Sequence, residues 1–346
     1  MVSIILALVI FSVIVIVHEF GHFLLAKRGG IRVNEFSVGM GPVLLSKEIG
    51  DTRYCLKLLP FGGSCMMEGE DGEGDAAASD SFTSKSVWTR ILVVAAGPVF
   101  NFLLAYVLAL IIVGSAGYDN TVVTILPGSA AEQAGMEDGD RIVSIGGSRT
   151  WLYREVSLFS SLHQGETAEV TYERDGETYE TVLTPTLSEN GAYLYGFSKT
   201  GVREKGNVLE VAAYSAAEVR YWLKATVESL SMLINGKVGL QDMSGPVGIV
   251  DAIGETYEAS RSDGWYYVAL NMLNMAILLS VNLGVMNLLP IPALDGGRLV
   301  FLIIEAIRGK AISQEKESMV HFAGFVLLMG LMVIILFSDV HKIVIR

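Results

Sequence analysis

Apolar residues in this chain are concentrated in four long blocks that are separated by more polar stretches. Each block is near the ~20 residues that an α-helix needs to cross the hydrocarbon core of a bilayer. The blocks cover roughly residues 2–26, 91–113, 268–289 and 320–337. The pattern therefore predicts a polytopic α-helical membrane protein with about four transmembrane helices.

The third block is the most polar of the four and ends in a proline-rich break. Polar side chains within a span usually face a bundle interior or a cavity, or they bond to a neighbouring helix. Both interpretations stay open for the polar residues of this block. These residues are Asn271, Asn274, Ser280 and Asn282.

Basic residues near the ends of the spans predict the orientation, because cytoplasmic flanks carry an excess of Lys and Arg. The rule places residues 27–90 and 296–319 in the cytoplasm, and the N-terminus and residues 114–267 outside. The basic tail at 341–346 then lies outside, against the rule, but three other flanks agree. Those flanks carry Lys27, Arg28, Arg32, Lys85, Arg90, Arg298, Arg308, Lys310 and Lys316.

Residues 31–68 alternate short apolar runs with turn dipeptides such as Gly41-Pro42 and Gly62-Gly63, which is typical of hairpins. Because strand edges cannot face lipid, this sheet is expected at the interface or in a protein-lined cavity. Residues 69–86 are acidic and then rich in Ala and Ser, which predicts a mobile cytoplasmic linker.

Residues 121–185 have the composition of a soluble module that contains both strands and helix. The apolar residues of 208–235 recur at spacings of three and four, which indicates an amphipathic helix. This helix could lie on the membrane surface or pack against the module. The elements predicted in the module are strands at 122–126 and 141–145, a short helix at 130–134 and a hairpin at 168–183.

Composition supports a membrane protein. Hydrophobic residues make up 51% of the 346 residues and charged residues 18%, below the roughly 25% of a soluble domain. The net charge of −12, without a basic stripe, argues against nucleic acid as a partner. Cys55 and Cys65 are the only cysteines and lack CxxC spacing, so neither a disulfide scaffold nor a thiolate zinc site is predicted.

The first span contains the sequence His18-Glu19-Phe20-Gly21-His22. H-E-x-x-H places two imidazoles at i and i+4 on one helix face, where both can bind one zinc ion. The glutamate beside them can take a proton from the attacking water. A chance match or a pair of core histidines is the alternative. Because ionisable groups are costly in hydrocarbon, their position within a span favours a functional site.

A catalytic zinc usually has three protein ligands and an open position. Asp295 is the best candidate for the third ligand. Pro290 and Pro292 end the third helix just before it, and the freed carbonyls need protein or a cavity around them. The alternative is that the prolines end a span at the interface and that Asp295 is solvated in a loop.

Two distant motifs resemble those of the site-2 protease family of intramembrane zinc metalloproteases. They are H-E-x-x-H in the first span and N-x-x-P-x-P-x-L-D-G at residues 287–296 in the third. Shorter stretches resemble the bacterial branch of this family, and the soluble module resembles a bacterial, circularly permuted PDZ domain. These stretches are residues 59–63, 96–101 and 244–249, and those of the module are 127–131 and 134–142.

The resemblance implies Zn²⁺ as the cofactor, with His18, His22 and Asp295 as its ligands and Glu19 as the catalytic residue that activates water. It implies that Asn287 holds the substrate backbone near the metal. It also implies a membrane-reentrant β-hairpin region and one inserted extracytoplasmic PDZ domain. The expected organisation is an N-terminal membrane half at 1–113, the PDZ domain at 114–200, an amphipathic helix and connector at 201–265, and a C-terminal membrane half at 266–346.

These features together predict an intramembrane zinc metalloprotease in the cell membrane, with its active site toward the cytoplasm. The expected substrates are single-span membrane proteins already shortened by another protease, such as anti-sigma factors, or signal-peptide remnants. The alternatives are a non-catalytic, membrane-anchored PDZ scaffold and a metal transporter. Intact motif residues argue against the scaffold. The restriction of the ligands to two spans argues against the transporter.

We predict that the purified protein holds about one zinc ion per chain. His22→Ala should lose the ion, because two ligands do not retain it. Glu19→Gln should keep the ion and lose activity, because the amide cannot accept the proton from water. Zinc content by mass spectrometry and cleavage of a single-span reporter measure the two effects. Full activity of Glu19→Gln would contradict the assignment of the base.

Overall fold

The computed structural model describes residues 2–70, 78–188, 191–201, 203–239 and 243–345. The helices in this part of the chain are α1 (Val2–Arg28), α2 (Val87–Ala116), α3 (Ala130–Gln133), α4 (Tyr153–Leu162), α5 (Val208–Ile234), α6 (Pro246–Arg261), α7 (Trp265–Leu288), α8 (Asp295–Arg308) and α9 (Gln314–Ile345). The strands are β1 (Val33–Ile49), β2 (Thr52–Met67), β3 (Val123–Ile125), β4 (Arg141–Ile145), β5 (Ser148–Arg149), β6 (Ala168–Arg174), β7 (Glu177–Leu183), β8 (Thr186–Leu187), β9 (Tyr193–Leu194) and β10 (Phe197–Lys199).

Four of these helices are long and apolar enough to cross a bilayer, as the sequence predicts. They are α1, α2, α7 and α9, and each includes or closely matches one of the predicted apolar blocks. The buried share of the most apolar stretch ranges from 0% in α9 to 39% in α7, so most residues of these stretches are not buried, as expected where lipid is the solvent.

The described chain forms two compact units, Met1–Leu108 with Thr226–Arg346, and Ala109–Ala225. The first unit contains the hairpin and most of the apolar helices, and α1 packs against β2, α6 and α7 within it. Two apolar clusters hold it together. One lies between the end of α1, the start of the hairpin and α2, and the other lies between α1, α6 and α7. The domain limits predicted from the sequence stay a prediction.

The predicted hairpin region consists of β1 and β2, which pair antiparallel. Near its start, β1 pairs with two different stretches of β2. Phe36 pairs with both Tyr54 and Cys65, and Ser37 pairs with both Cys55 and Ser64. The first part of β1 therefore lies between two parts of β2. The segment 63–67 is left with β1 on one side, and within the described residues no strand pairs with its other edge.

The second unit contains the predicted soluble module. Its largest sheet has the order β5-β4-β6-β7, and β3 pairs separately with β10. Ile142, Val170 and Leu183 are buried at its centre, so the predicted strands alternate as a half-buried sheet requires. The hairpin turns at Asp175-Gly176, where both residues have positive φ, as a tight two-residue turn demands.

The amphipathic stripe predicted for 208–235 belongs to α5. In its first half α5 packs against α4 of the module rather than standing apart from it. Arg154 Nη1 lies 2.8 Å from Glu218 Oε2, and Arg220 Nη2 lies 2.6 Å from Glu155 Oε1. Both carboxylates are buried, so each ion pair links the two helices at a desolvated contact.

Three helices have no counterpart in the sequence prediction: α4, α6 and α8. None of their N-cap residues forms a side-chain cap hydrogen bond, so the sequence offers little to mark their starts. The predicted linker at 69–86 falls partly outside the described residues, and its described parts, 69–70 and 78–86, consist mainly of turns and bends. The prediction of a mobile segment is wrong for 80–82, because Asp80 and Phe82 form backbone hydrogen bonds with Arg32 and Glu68, and Phe82 is buried in an apolar cluster.

Candidate metal centre

Helix α1 presents the histidine pair toward the interior of the first unit. His18 and His22 are 7% and 8% exposed, and their rings meet edge to face with centroids 4.8 Å apart. Gly21 lies between them, and a Cβ there would be 2.5 Å from the Ala96 carbonyl oxygen of α2. A glycine at this position therefore lets α1 and α2 approach closely beside the motif.

The break after α7 brings Asp295 to the same place. Helix α7 ends at Leu288, and α8 begins at Asp295. Ala293 adopts φ 75° in between, and its N–H donates to His321 Nδ1 of α9 at 3.0 Å. A Cβ at Gly296 would be 2.1 Å from the carbonyl oxygen of Leu289, so a side chain after Asp295 would prevent this tight reversal.

The three predicted ligands converge. His18 Nε2 and His22 Nε2 are 3.2 Å apart, and Asp295 Oδ2 lies 3.1 Å from the first and 3.4 Å from the second. Ligands ~2.0–2.1 Å from a tetrahedral zinc ion are separated from one another by about 3.3 Å. The three distances therefore fit one tetrahedral ion.

The Asp295 Oδ2 atom is buried and receives no hydrogen bond of good geometry from the described residues. It faces two imidazole nitrogens at hydrogen-bond distance. Such a cluster of electron pairs is stable only around a cation, either a proton or a metal ion. Within the described chain, this is the group of His, Cys, Asp and Glu side chains that could hold a metal.

One face of α2 covers the histidines. His22 Nδ1 lies 2.9 Å from the Val93 carbonyl oxygen, and His18 Nδ1 lies 3.1 Å from the side-chain amide of Asn101. Gly97 lies between them on α2, and a Cβ there would be 2.2 Å from His22 Nε2 and 2.7 Å from His18 Cε1. The space for the imidazoles exists because Gly97 has no side chain.

Glu19 and the hairpin form the opposite wall. A cavity of about 280 Å³ includes His18, Glu19, His22 and Asp295 together with residues 63–67 of β2. The outer edge of β2 faces Glu19, because the Cys65 N–H donates to its carboxylate. A Cβ at Gly63 would be 3.2 Å from Glu19 Cγ, so the backbone of β2 lies directly against this side chain.

Cys65 lines the cavity. Among the described residues, its sulfur lies outside the group of side chains that could hold one metal ion. The sequence prediction that the cysteines do not form a metal site stays a prediction.

Arg298 and Glu70 close one side of the cavity. They form an ion pair between α8 and the residues that follow β2, and both side chains line the cavity. Arg298 follows Asp295 by one helical turn, so both side chains extend from the same face of α8.

Asn287 lies one residue before the end of α7 and is half-buried. Among the described residues, those that line the cavity do not include it. Its predicted role in holding substrate therefore stays a prediction, as do the individual roles of the other site residues.

Sequence reasoning identified the two histidines, Glu19 and Asp295, which the structure brings together. It did not identify the parts played by Val93, Gly97 and Asn101 of α2. A signal was present, because residues 96–101 form one of the stretches that resemble the bacterial site-2 proteases. The stretch carries no metal ligand, so its chemistry becomes visible only beside the histidines.

Four membrane-length helices and an H-E-x-x-H centre completed by an aspartate define a membrane metalloprotease. The model of Peptidase family M50 matches residues 6–331. The chain belongs to this family, the site-2 proteases, and is an intramembrane zinc metalloprotease.

Several curated proteins resemble the chain over nearly its whole length. A protein of Clostridium perfringens whose name includes the words zinc metalloprotease is 36% identical over 339 residues, covering 97% of this chain and 98% of that protein. The zinc metalloprotease RasP of Geobacillus kaustophilus is 32% identical, covering 98% of each. The regulator of sigma-W protease RasP of Bacillus subtilis is also 32% identical, covering 99% of each.

A solved PDZ domain, from the SdrC-like protein of Listeria monocytogenes, is similar to part of the chain. The match covers 25% of this chain and 93% of the PDZ domain, with 18% sequence identity and a TM-score of 0.22.

Gly97→Ala should abolish zinc binding and lower cleavage of a reporter by roughly 100-fold or more, because the added methyl group displaces both imidazoles. Zinc content and reporter cleavage measure the effect. Gly330→Ala is the matched control, since a Cβ at Gly330 of α9 meets nothing within 4 Å. Normal zinc content in Gly97→Ala would contradict this packing of α2 against the histidines.

Proposed function

We propose that this chain cleaves single-span membrane proteins within or near their transmembrane segments, at a zinc ion held by His18, His22 and Asp295. The observation that carries the proposal is the convergence of these three side chains beside the Glu19 carboxylate, on an apolar helix that is long enough to span a membrane. His18 is ten residues before the end of α1, a distance of about 15 Å along the helix axis. In a helix that spans the bilayer, this position lies within the hydrocarbon core.

The chemistry divides between the ion and the chain. Zinc bound at this position supplies a Lewis acid that polarises the scissile carbonyl. Glu19 takes the proton of the attacking water and delivers it to the leaving amine. Asn287, in the motif that also contains Asp295, holds the substrate backbone as it enters. Arg298 and Glu70 border the polar cavity through which water reaches the site.

The outer edge of β2 receives the substrate. A transmembrane helix hides its amides in i→i−4 hydrogen bonds, so the scissile segment must unwind before it is cut. Residues 63–67 line the cavity and have an edge that pairs with no strand of the described chain. An extended peptide added to this edge replaces its helical hydrogen bonds with sheet hydrogen bonds and passes beside Glu19.

The rest of the hairpin enters the membrane from the cytoplasmic side. Its outer part exposes successive apolar side chains on both faces, which water would disfavour and lipid or an apolar substrate would accept. These side chains are Val43, Leu44, Leu45, Ile49, Leu56 and Leu58, each more than 40% exposed.

The expected substrates are anti-sigma factors already shortened by another protease, or signal-peptide remnants. The name of the Bacillus subtilis relative, regulator of sigma-W protease, supports the first class. The soluble module, which we assign as a PDZ domain, has a groove of about 330 Å³ between α4 and residues 192–197. A groove of this kind suits a newly made C-terminus, and the same module excludes substrates with bulky ectodomains.

The proposed orientation places the N-terminus and the module outside and the site toward the cytoplasm. Contacts within the first unit support an even number of membrane crossings between the start of α1 and the end of α9. A Cβ at Gly254 of α6 would meet Ser3 at the start of α1, and Asp339 near the end of α9 accepts from the N–H groups of Gly245 and Gly248. Ser3 and Asp339 thus both lie beside α6, which supports placing the two ends of the described chain on the same side of the membrane.

The competing functions have less support. A PDZ scaffold does not need buried imidazoles and carboxylates, which cost free energy in hydrocarbon. A metal transporter needs ligands along a path, but within the described residues the possible metal ligands form one group. The measurement that separates all three is cleavage of a membrane reporter by zinc-loaded protein.

A reporter series tests the substrate class. Reporters that carry one transmembrane helix should be cut faster without their ectodomain than with it. They should also be cut faster with a Gly-Ser-Asn patch than with uniform Leu, because a strong helix resists unwinding by up to about 1 kcal/mol per residue over a turn. Initial cleavage rates in detergent and in liposomes measure both effects.

Glu19→Gln is the inactive control for each reporter of the series. Equal rates for full-length poly-Leu reporters and for truncated, helix-weakened reporters would overturn both the filtering role and the unwinding step.

Cysteine labelling of intact cells tests the orientation. A membrane-impermeant thiol reagent should modify Asp175→Cys in the exposed turn of the module and not Lys310→Cys in the exposed loop before α9. Cys55 and Cys65 are first replaced by Ser, and permeabilised cells should label both positions. The reverse pattern would place the site toward the external face.

A further inference from the structure

The two histidines of the metal centre are held by different groups of α2. His22 Nδ1 faces the Val93 carbonyl oxygen, which can only accept a hydrogen bond. This contact fixes the His22 proton on Nδ1 and leaves Nε2 free to bind metal. His18 Nδ1 faces the side-chain amide of Asn101, which can either donate or accept.

Asn101 is fully buried, and its backbone also contacts a second helix. Its side chain is 0% exposed, and the Ser280 hydroxyl of α7 donates to its backbone carbonyl oxygen at 2.8 Å. Within the described residues, Oδ1 of Asn101 has no hydrogen-bond partner, while Nδ2 lies 3.1 Å from His18 Nδ1. One end of this buried amide is thus unpaired whichever way the amide is turned.

Metal binding decides which end faces His18. When His18 binds zinc through Nε2, its remaining proton is on Nδ1, which becomes a donor. An amide N–H₂ opposite that donor would place two donors face to face, whereas Oδ1 would accept the proton. The two ends of the amide have the same shape, so turning the side chain by about 180° makes this change without moving the backbone.

We propose that Asn101 is a positioning residue of the metal centre, and that its side-chain oxygen accepts the His18 Nδ1 proton and holds this ligand in the Nε2-binding tautomer. The inference rests on the proposed zinc site and adds a residue to it. Asn101 touches neither the substrate nor the ion. Groups that orient metal-binding histidines in this way typically change metal affinity by roughly 10–100-fold.

Two substitutions of nearly equal shape separate this role from simple packing. Asn101→Leu removes the acceptor and keeps an apolar side chain of similar size, and Asn101→Asp keeps the acceptor and adds a charge. If Asn101 only fills space, Leu should be tolerated and a buried Asp should be harmful. If Asn101 positions His18, the order is reversed, because a carboxylate is a good partner for a zinc-binding histidine.

The test measures the dissociation constant of zinc by competition with a chelator, using the full chain in detergent. We expect Asn101→Leu to bind zinc roughly 10–100-fold more weakly than the unaltered chain, and Asn101→Asp to bind at least as tightly. Thermal unfolding of each zinc-free variant checks that it is folded. If Asn101→Leu does not fold, the zinc affinity of Asn101→Asp is compared with that of the unaltered chain. Weaker zinc binding by Asn101→Asp overturns the proposal.

Ser280→Ala is the matched control. It removes the hydrogen bond to the backbone of Asn101 and leaves the amide side chain intact, so zinc affinity should not change. If Ser280→Ala lost as much zinc affinity as Asn101→Leu, the effect would come from the placement of α2, and the proposal would be overturned. If the unaltered chain binds zinc and Asn101→Leu binds it equally tightly, the role of Asn101 is refuted and the proposed zinc site is not. Absence of zinc from the unaltered chain refutes the proposed site itself.

Discussion

The cost of placing ionisable groups at bilayer depth governs the structure of this protein. Two imidazoles and two carboxylates occupy one region of an apolar bundle, where lipid can satisfy none of them. Each group must therefore find its partners in protein. Helix α2 supplies a carbonyl and an amide to the histidines, the edge of β2 supplies an N–H to Glu19, and the break between α7 and α8 supplies Asp295.

The glycines around the centre follow from the same constraint. A site closed to lipid requires its walls to lie within contact distance of the ligands, and a Cβ would prevent this at several positions. Gly21 allows α1 and α2 to meet, Gly97 makes room for the imidazoles, and Gly63 brings β2 against Glu19. Gly296 allows the reversal that presents Asp295. These glycines thus allow the close packing that brings the chemically active side chains together.

Under the proposed function the centre must admit water and an unwound peptide, and a sheet edge suits this role better than a helix would. A helix satisfies its own backbone and has nothing to offer an unwound peptide, whereas a strand edge has unused donors and acceptors. In a bilayer such an edge is tolerated only where it borders a polar cavity. Residues 63–67 meet this condition, because they line the cavity that contains His18, Glu19, His22 and Asp295.

The sequence by itself determined the four apolar helices and the placement of His18 and His22 on one face of α1. It also predicted most of the strands of the soluble module. These features depend on periodicity and composition within a single element, which are local properties. Only the tertiary structure decided that Asp295 reaches the histidines instead of remaining in a solvated loop. Likewise, Val93 and Asn101 contact His22 and His18, which lie 71 and 83 residues away in the chain. Such contacts depend on how separate helices pack, and no local pattern specifies that packing.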